Sequence, residues 1–204
     1  MNFDKYKVIR KAVDLDLINF IKDYFFLKRK AVIFMNQHGI IDHNEILGTW
    51  NDPQIPNTYS HYADPVMETL LTKMMPTLEK HTGLDLIPTY SYARIYKMGD
   101  KLNRHKDRDS CEISTTLHLG GNPWSIYLEP SGKEGLKGKE VNLKPGDMLV
   151  YKGCEVEHWR ETFTGKECAQ VFLHYNDKKS EFSQKNKFDS RSLLGVPSCF
   201  KKSN

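Results

Sequence analysis

Apolar residues recur at helical spacing in "DLDLINFIKDYFFLKRK", where Leu17, Phe20, Ile21, Tyr24 and Phe25 share one stripe. The pattern predicts a helix with Asp14 as its N-cap, ending among the basic residues of "LKRK". A second helix is predicted in "DPVMETLLTKMMPTLEKHTG": Asp64 caps it, Pro65 takes the first helical position and Gly83 stops it. Pro76 is expected to kink or split this helix, because it offers no N–H to the ladder and its ring crowds the preceding turn. Between the two helices the chain is rich in Asn, Asp, Pro and Gly. Residues 36–63 therefore read as a loop with short extended pieces, and as a candidate lid.

From residue 88 the period changes from helix to strand. In "PTYSYARIYKM", Tyr90, Tyr92, Arg94 and Tyr96 alternate with Ser91, Ala93 and Ile95. "EISTTLHLGG", "WSIYLEP", "EVNLKPGDMLVY" and "ECAQVFLHYND" follow as β-rich segments separated by turn residues. Short strands at this spacing imply an antiparallel sandwich or barrel, in a chain that is mainly β with flanking helices (α+β). One structural domain is expected, with an N-terminal helical support (1–87), a β core (88–177) and a polar tail (178–204). The tail reads as a peripheral helix or a partly disordered segment.

Composition narrows the classes without choosing a chemistry. A chain of 204 residues, 39% hydrophobic and 27% charged, can build one ordinary core. The net charge of +4 is mild, and the dense basic clusters, "LKRK" and "KKSN", read as solvated surface. Nucleic acid is thus not an indicated partner. The four scattered cysteines form no CxxC pair and no disulfide framework, so free thiols and a cytoplasmic setting are expected. The N-terminus lacks the apolar run of a signal peptide, and no stretch reaches bilayer-spanning length.

The candidate chemistry sits in "NRHKDRD". His105 and Asp107 are two apart, so on an extended segment both project to the same side. His158, in "GCEVEHWRE", lies 51 residues beyond Asp107 and supplies a third donor. Two imidazoles and a carboxylate on one face, leaving other positions open, suit non-haem Fe(II), and the same donors also suit Zn(II).

"YKMGDKLNRHKD" resembles the entry strand and HxD motif of the Fe(II)/2-oxoglutarate-dependent dioxygenases, especially the prolyl-4-hydroxylase-like branch, and "LKPGDMLVY" resembles the strand before that family's distal histidine. The likeness spans about residues 90–177. It implies a double-stranded β-helix (jelly roll) with Fe(II) held by His105, Asp107 and His158. The implied co-substrates are 2-oxoglutarate and O2, with ascorbate as an accessory reductant. The implied reaction hydroxylates a prolyl or other residue of a protein or peptide and releases succinate and CO2, with a small metabolite or nucleobase as the alternative substrate. The far carboxylate of 2-oxoglutarate needs a cation: the resemblance points to a basic residue past His158, which Lys166 approximates, while Arg160, two residues past His158 and so on the same face of a strand, competes for the role with a bidentate fork; the resemblance sets His118 and Tyr96 beside it. A cupin-like metal protein without oxygenase chemistry is the main rival, and a basic residue facing the metal pocket separates the two. A degenerate binding module would have no reason to keep all three ligands, and a nucleic-acid demethylase would want a basic, aromatic groove.

Overall fold

The computed structural model describes residues 3–41, 45–133 and 135–202. Residues 42–44 of the candidate lid, and residues 1, 2, 134, 203 and 204, lie outside the described residues. Among the described residues ten strands form two antiparallel sheets: β1 (Tyr6–Ile9), β2 (Ser60–Tyr62), β3 (Leu86–Lys97), β4 (Leu102–His105), β5 (Ile113–Gly121), β6 (Ile126–Glu129), β7 (Lys139–Val141), β8 (Met148–Lys152), β9 (Glu157–Arg160) and β10 (Glu167–Asp177). The larger sheet runs β1-β8-β5-β10-β3-β2 and the smaller β4-β9-β6-β7. The segment "EVNLKPGDMLVY", read as one β-rich piece, divides into β7 and β8 around a turn closed by Asp147 N–H on Lys144 O. Two helices, α1 (Leu15–Gln37) and α2 (Pro65–Thr82), pack on β5 and β3 of the larger sheet.

Strand alternation explains where the core sits. Ala93, Ile95, Leu117, Leu119, Val171 and Leu173 point from the larger sheet towards the helices and join Ile21, Phe25, Leu71 and Leu78 in the main cluster. Burial of each such leucine or isoleucine contributes roughly 1.5–3 kcal/mol. The opposite face of the same sheet carries Tyr90, Arg94, Ser114, Thr116, His118, Gln170 and His174, all buried. The space between the sheets is therefore polar in its middle, closed by a small apolar cluster of Ile126, Leu128, Leu149 and Tyr151 on one side and of Ile55, Tyr96, Leu102 and Phe163 on the other.

Both helix starts match the sequence pattern, while other features depart from it. Asp14 accepts from Asp16 N–H, and Asp64 from Val66 and Met67 N–H. The first helix runs past "LKRK" to Gln37, because "AVIFMNQ" contains no breaker, Val32 extends the buried stripe, and the chain meets no glycine or proline before Gly39. Lys28 and Arg29 face tertiary carboxylates, Asp64 at 2.5 Å and Glu167 at 2.6 Å, so they do not mark a helix end. Phe20 is 64% exposed; Ile18, Ile21, Phe25 and Val32 form the buried stripe instead. Pro76 does not split α2, whose flanking Met74 and Leu78 are both anchored in the core.

The polar tail forms no α-helix among the described residues, only 3₁₀ turns at Lys187–Ser190 and Ser198–Phe200. Charge holds it in place. Arg191 is buried against Glu68 (2.7 Å), and Asp189 accepts from Tyr62 (2.7 Å) and Arg108 (2.9 Å). No helix is long and apolar enough to cross a membrane among the described residues.

Candidate metal centre

β4 and β9 pair so that His105 lies opposite His158, and their rings sit 4.2 Å apart. Asp107, just past the end of β4, is fixed by its N–H on Gly153 O (2.9 Å). Its Oδ1 lies 3.6 Å from His105 Nε2 and 3.5 Å from His158 Nε2. The three donor atoms fall within 4.8 Å of one another, a sphere that one ion can fill. Each histidine donates its other nitrogen to a backbone carbonyl: Nδ1 of His105 to Asn103 O (2.8 Å), and Nδ1 of His158 to Val156 O (3.0 Å). A proton on Nδ1 leaves the Nε2 lone pair aimed at the centre, the tautomer a metal requires.

Electrostatics match this donor set. Burial opposes charge on His105, but Asp107 and the Asn103 carbonyl outweigh it and raise its pKa above the ordinary histidine value. Burial likewise opposes the Asp107 carboxylate, yet hydrogen bonds from His105 and His158 hold it well below the usual range. A cation is favoured at this point, whether a metal or, as the pH falls, a proton on His105 Nε2. Metal binding should therefore weaken as pH falls through the raised His105 value, since the proton and the ion compete for one lone pair.

Asp107 is oriented from behind. Ser114 Oγ lies 2.6 Å from Asp107 Oδ2 and 3.0 Å from His174 Nδ1, so with its hydrogen on the carboxylate it accepts from the imidazole. Gly153 makes room for this contact, because an added Cβ would collide with Asp107 Oδ2, Ser114 Oγ and Cys111 O. Ser114→Ala is expected to weaken Fe(II) or Mn(II) binding by about 10–100-fold with little loss of fold, as read by metal competition and circular dichroism. Asp107, Cys111 and His174 form a second cluster of donor spacing, but burial, followed by Asp107, pushes the Cys111 thiol well up and keeps it protonated.

Of the two candidate cations, Arg160 and Lys166, the structure puts only one inside. Lys166 is exposed on the turn before β10, its backbone N–H on Asn122 Oδ1, and it does not reach the inter-sheet space. Arg160 is fully buried, pointing inward beside His158. It donates to Trp124 O and to Thr116 Oγ1 (3.2 Å), and its Nε has no partner. Among the described residues no carboxylate pairs with it, and burial pulls its pKa below the ordinary arginine value. Tyr96 is fully buried too, its hydroxyl also without a partner, and burial pushes its pKa up so that it remains a donor. Two unpartnered buried donors, one of them cationic, are what a carboxylate end such as that of 2-oxoglutarate would satisfy.

His118 has the inward place expected of it, but Gln170 Nε2 donates to its Nδ1 (2.9 Å), and Gln170 Oε1 in turn accepts from Thr116 (3.2 Å). It thus anchors the chain of hydrogen bonds that ends on Arg160. Burial, then Arg160, lowers its pKa to about 4, and burial lowers that of His174 to about 4. Between pH 6.5 and 4 the unfolded chain binds more protons at these two residues, so stability should fall as the solution is acidified through that window. The loss is on the order of 3 kcal/mol per histidine at its lower end. His105, with its raised value, acts in the opposite sense and is stabilising below its unfolded value. Thermal unfolding of metal-free protein across this range checks the sign, and His118→Leu should flatten the slope.

A cavity of about 180 Å³ opens onto the metal centre, lined by Tyr90, Tyr92, Arg94, Tyr96, Phe172 and His174 among others. Asp52 and Gln54 roof it. Sequence reading placed Tyr92, Arg94 and Tyr96 on one inner face by alternation but missed Asp52, Gln54 and Ser114 as site residues. Trp124 packs edge-on against Tyr96, 4.8 Å away, while Trp159 faces outward onto Tyr127.

No protein-family model and no curated protein matches this chain. Solved structures do. A prolyl-4-hydroxylase from Pseudomonas putida matches at 15% identity over 86% of this chain and 94% of its own, with a TM-score of 0.54. HygX from Streptomyces hygroscopicus, with nickel, 2-oxoglutarate and hygromycin B bound, matches at 13% identity over 98% and 91%, TM-score 0.60. The viral collagen prolyl hydroxylase vCPH from Paramecium Bursaria Chlorella virus-1, a 2-oxoglutarate complex, matches at 11% over 84% and 96%, TM-score 0.55. The chain has the double-stranded β-helix fold of 2-oxoglutarate–Fe(II) oxygenases, prolyl 4-hydroxylases included.

Proposed function

We propose that this protein is an Fe(II)- and 2-oxoglutarate-dependent oxygenase that hydroxylates a prolyl or other residue of a protein or peptide, releasing succinate and CO2. One observation carries the reading: His105, Asp107 and His158 converge within ligand distance at one end of a polar inter-sheet space whose interior holds an unpaired, buried Arg160. His105 Nε2, His158 Nε2 and Asp107 Oδ1 would hold the iron, and three ligands leave coordination positions for 2-oxoglutarate and O2. Iron bound there would activate O2, the oxidant: one oxygen atom goes into succinate as 2-oxoglutarate loses CO2, and the other is inserted into the substrate's C–H bond. The chain's own residues orient and protect. Ser114 fixes the Asp107 carboxylate, Arg160 and Tyr96 hold the far carboxylate of 2-oxoglutarate, and the apolar clusters on either side keep water out. Ascorbate belongs in the assay as the accessory reductant. Four unpaired thiols support a reducing, cytoplasmic setting.

A small metabolite is the second reading for the substrate, supported by the likeness to HygX, whose structure has hygromycin B bound. A cupin-like metal protein is the rival outside the oxygenases. The test is an anaerobic titration of 2-oxoglutarate into Fe(II)-loaded protein, followed by the visible charge-transfer band of the chelated 2-oxo acid. The band is expected in wild type. Folded protein that binds metal but shows no band supports the cupin-like reading instead.

A further inference from the structure

The roof of the cavity occupies the space a substrate needs. Ligand pockets generally enclose about 300–1,000 Å³, and the space here, about 180 Å³, is small for 2-oxoglutarate together with a second molecule. Asp52 and Gln54 line the cavity from the span 51–54. That span is held at both ends: Trp50 packs on Tyr59 (4.8 Å), and Ile55 is buried among Tyr96, Leu102 and Phe163. Any opening on this side would have to come from the short span between.

Its underside is bound to Arg94, Tyr92 and His105. Arg94, 1% exposed, donates through Nη2 to Asp52 Oδ2 and through Nη1 to Gln54 Oε1 (3.2 Å), and its Nε has no partner. Asp52 Oδ2 also accepts from Tyr92, and Asp52 Oδ1 from Gln54 N–H (2.8 Å). Gln54 Nε2 lies 3.4 Å from His105 Nε2, the very lone pair a metal would use. Metal on His105 and the Gln54 contact exclude each other, so a loaded centre would remove one of the contacts that hold the roof. If Asp52 then lifts, Arg94 is left as a buried cation, and only another anion can replace what it loses.

We propose that Arg94 anchors a carboxylate of the primary substrate, and that Asp52 holds that place until the substrate arrives. This names the substrate class for the oxygenase reading and rests on it. Arg160, deeper between the sheets and already free of any carboxylate, serves 2-oxoglutarate; Arg94, beside the roof, serves the substrate. A planar guanidinium fork matches a carboxylate, and a neutral amide in its place would leave the buried charge unpaired.

The test follows the Arg94 Nε–H resonance in ¹⁵N-labelled full-length protein loaded with Zn(II) and saturated with 2-oxoglutarate. The resonance is identified by its loss in Arg94→Lys. Three probes are titrated to tens of millimolar: N-acetyl-L-proline, its primary amide, and an N-acetylated, C-amidated Pro-Glu dipeptide with a side-chain carboxylate. At least one carboxylate is expected to shift the resonance with an affinity at least a hundredfold above the amide. Which carboxylate does so tells a free acid from an acidic neighbour in a peptide. Asp52→Asn should tighten that binding by about tenfold, because the internal competitor is gone. Equal effects of acid and amide, or no shift in either wild type or Asp52→Asn, overturn the assignment. So does a shift produced by 2-oxoglutarate alone and unchanged by the probes, which would make Arg94 the co-substrate's anchor. Should 2-oxoglutarate leave the metal-loaded protein unperturbed while a carboxylate still shifts Arg94, the oxygenase reading fails and the carboxylate site stands.

Discussion

Asp107→Ala is expected to give a folded protein that has lost Fe(II)-dependent turnover and more than about a hundredfold of its metal affinity. Loss of an outer partner of a ligand alone costs about 10–100-fold, and Asp107 is the only carboxylate of the three-residue donor set. Its contacts are local, to Gly153 O, Ser114 and the two histidines, so the sheets should keep their register without it. The substitution also removes the anion that raises the His105 pKa, and the protonation midpoint of that ring, followed by NMR in metal-free protein, should drop. A structural role for Asp107 would lower the melting temperature without touching metal affinity. Full turnover in Asp107→Ala would remove the triad altogether.

Arg160→Met is expected to move stability and ligand binding in opposite directions. Methionine keeps much of the buried stem but carries no charge. Among the described residues Arg160 is a buried cation with no carboxylate partner, so its removal should raise the melting temperature, by analogy with buried ion pairs whose apolar replacement is neutral or stabilising by about 1–4 kcal/mol. Binding of 2-oxoglutarate should weaken by about a hundredfold, the equivalent of roughly 3 kcal/mol for a charge-assisted hydrogen bond. Lys166→Ala, at an exposed turn, should stay within about twofold of wild type, as expected for surface substitutions. Calorimetric titration of 2-oxoglutarate into Mn(II)-loaded variants separates the two residues. Unchanged affinity in Arg160→Met would move the co-substrate's anchor elsewhere, with Arg94 the next candidate.

These two residues mark the limit of what local pattern can assign. His105 and Asp107 lie two apart on one short segment, and His158 follows a recognisable strand and turn, so the three candidate donors that the fold brings together were legible from types and spacing. Choosing between Arg160 and Lys166 needed the phase of β9 and the start of β10. His158 points inward, so Arg160 two residues on does as well, while β10 begins only at Glu167 and leaves Lys166 on the turn. Phe20 shows the same limit on a helix. It fits an amphipathic stripe, but the sheet packs against a neighbouring stripe centred on Ile18, Ile21 and Phe25.

The sequence alone determined the helix starts, through Asp14, Asp64 and Pro65, and the polar inner face of β3, because capping and alternation act between neighbours in the chain. Tertiary structure decided the rest of the site. Ser114 and His174 meet across the β5–β10 register, and Asp52 and Gln54 reach Arg94 and His105 across some forty to fifty residues of chain. Tertiary structure also decided the fate of the tail, where the Arg191–Glu68 pair orders a segment whose own composition promised little. Contacts of this kind depend on which faces two sheets turn towards each other, and no window of sequence contains both partners.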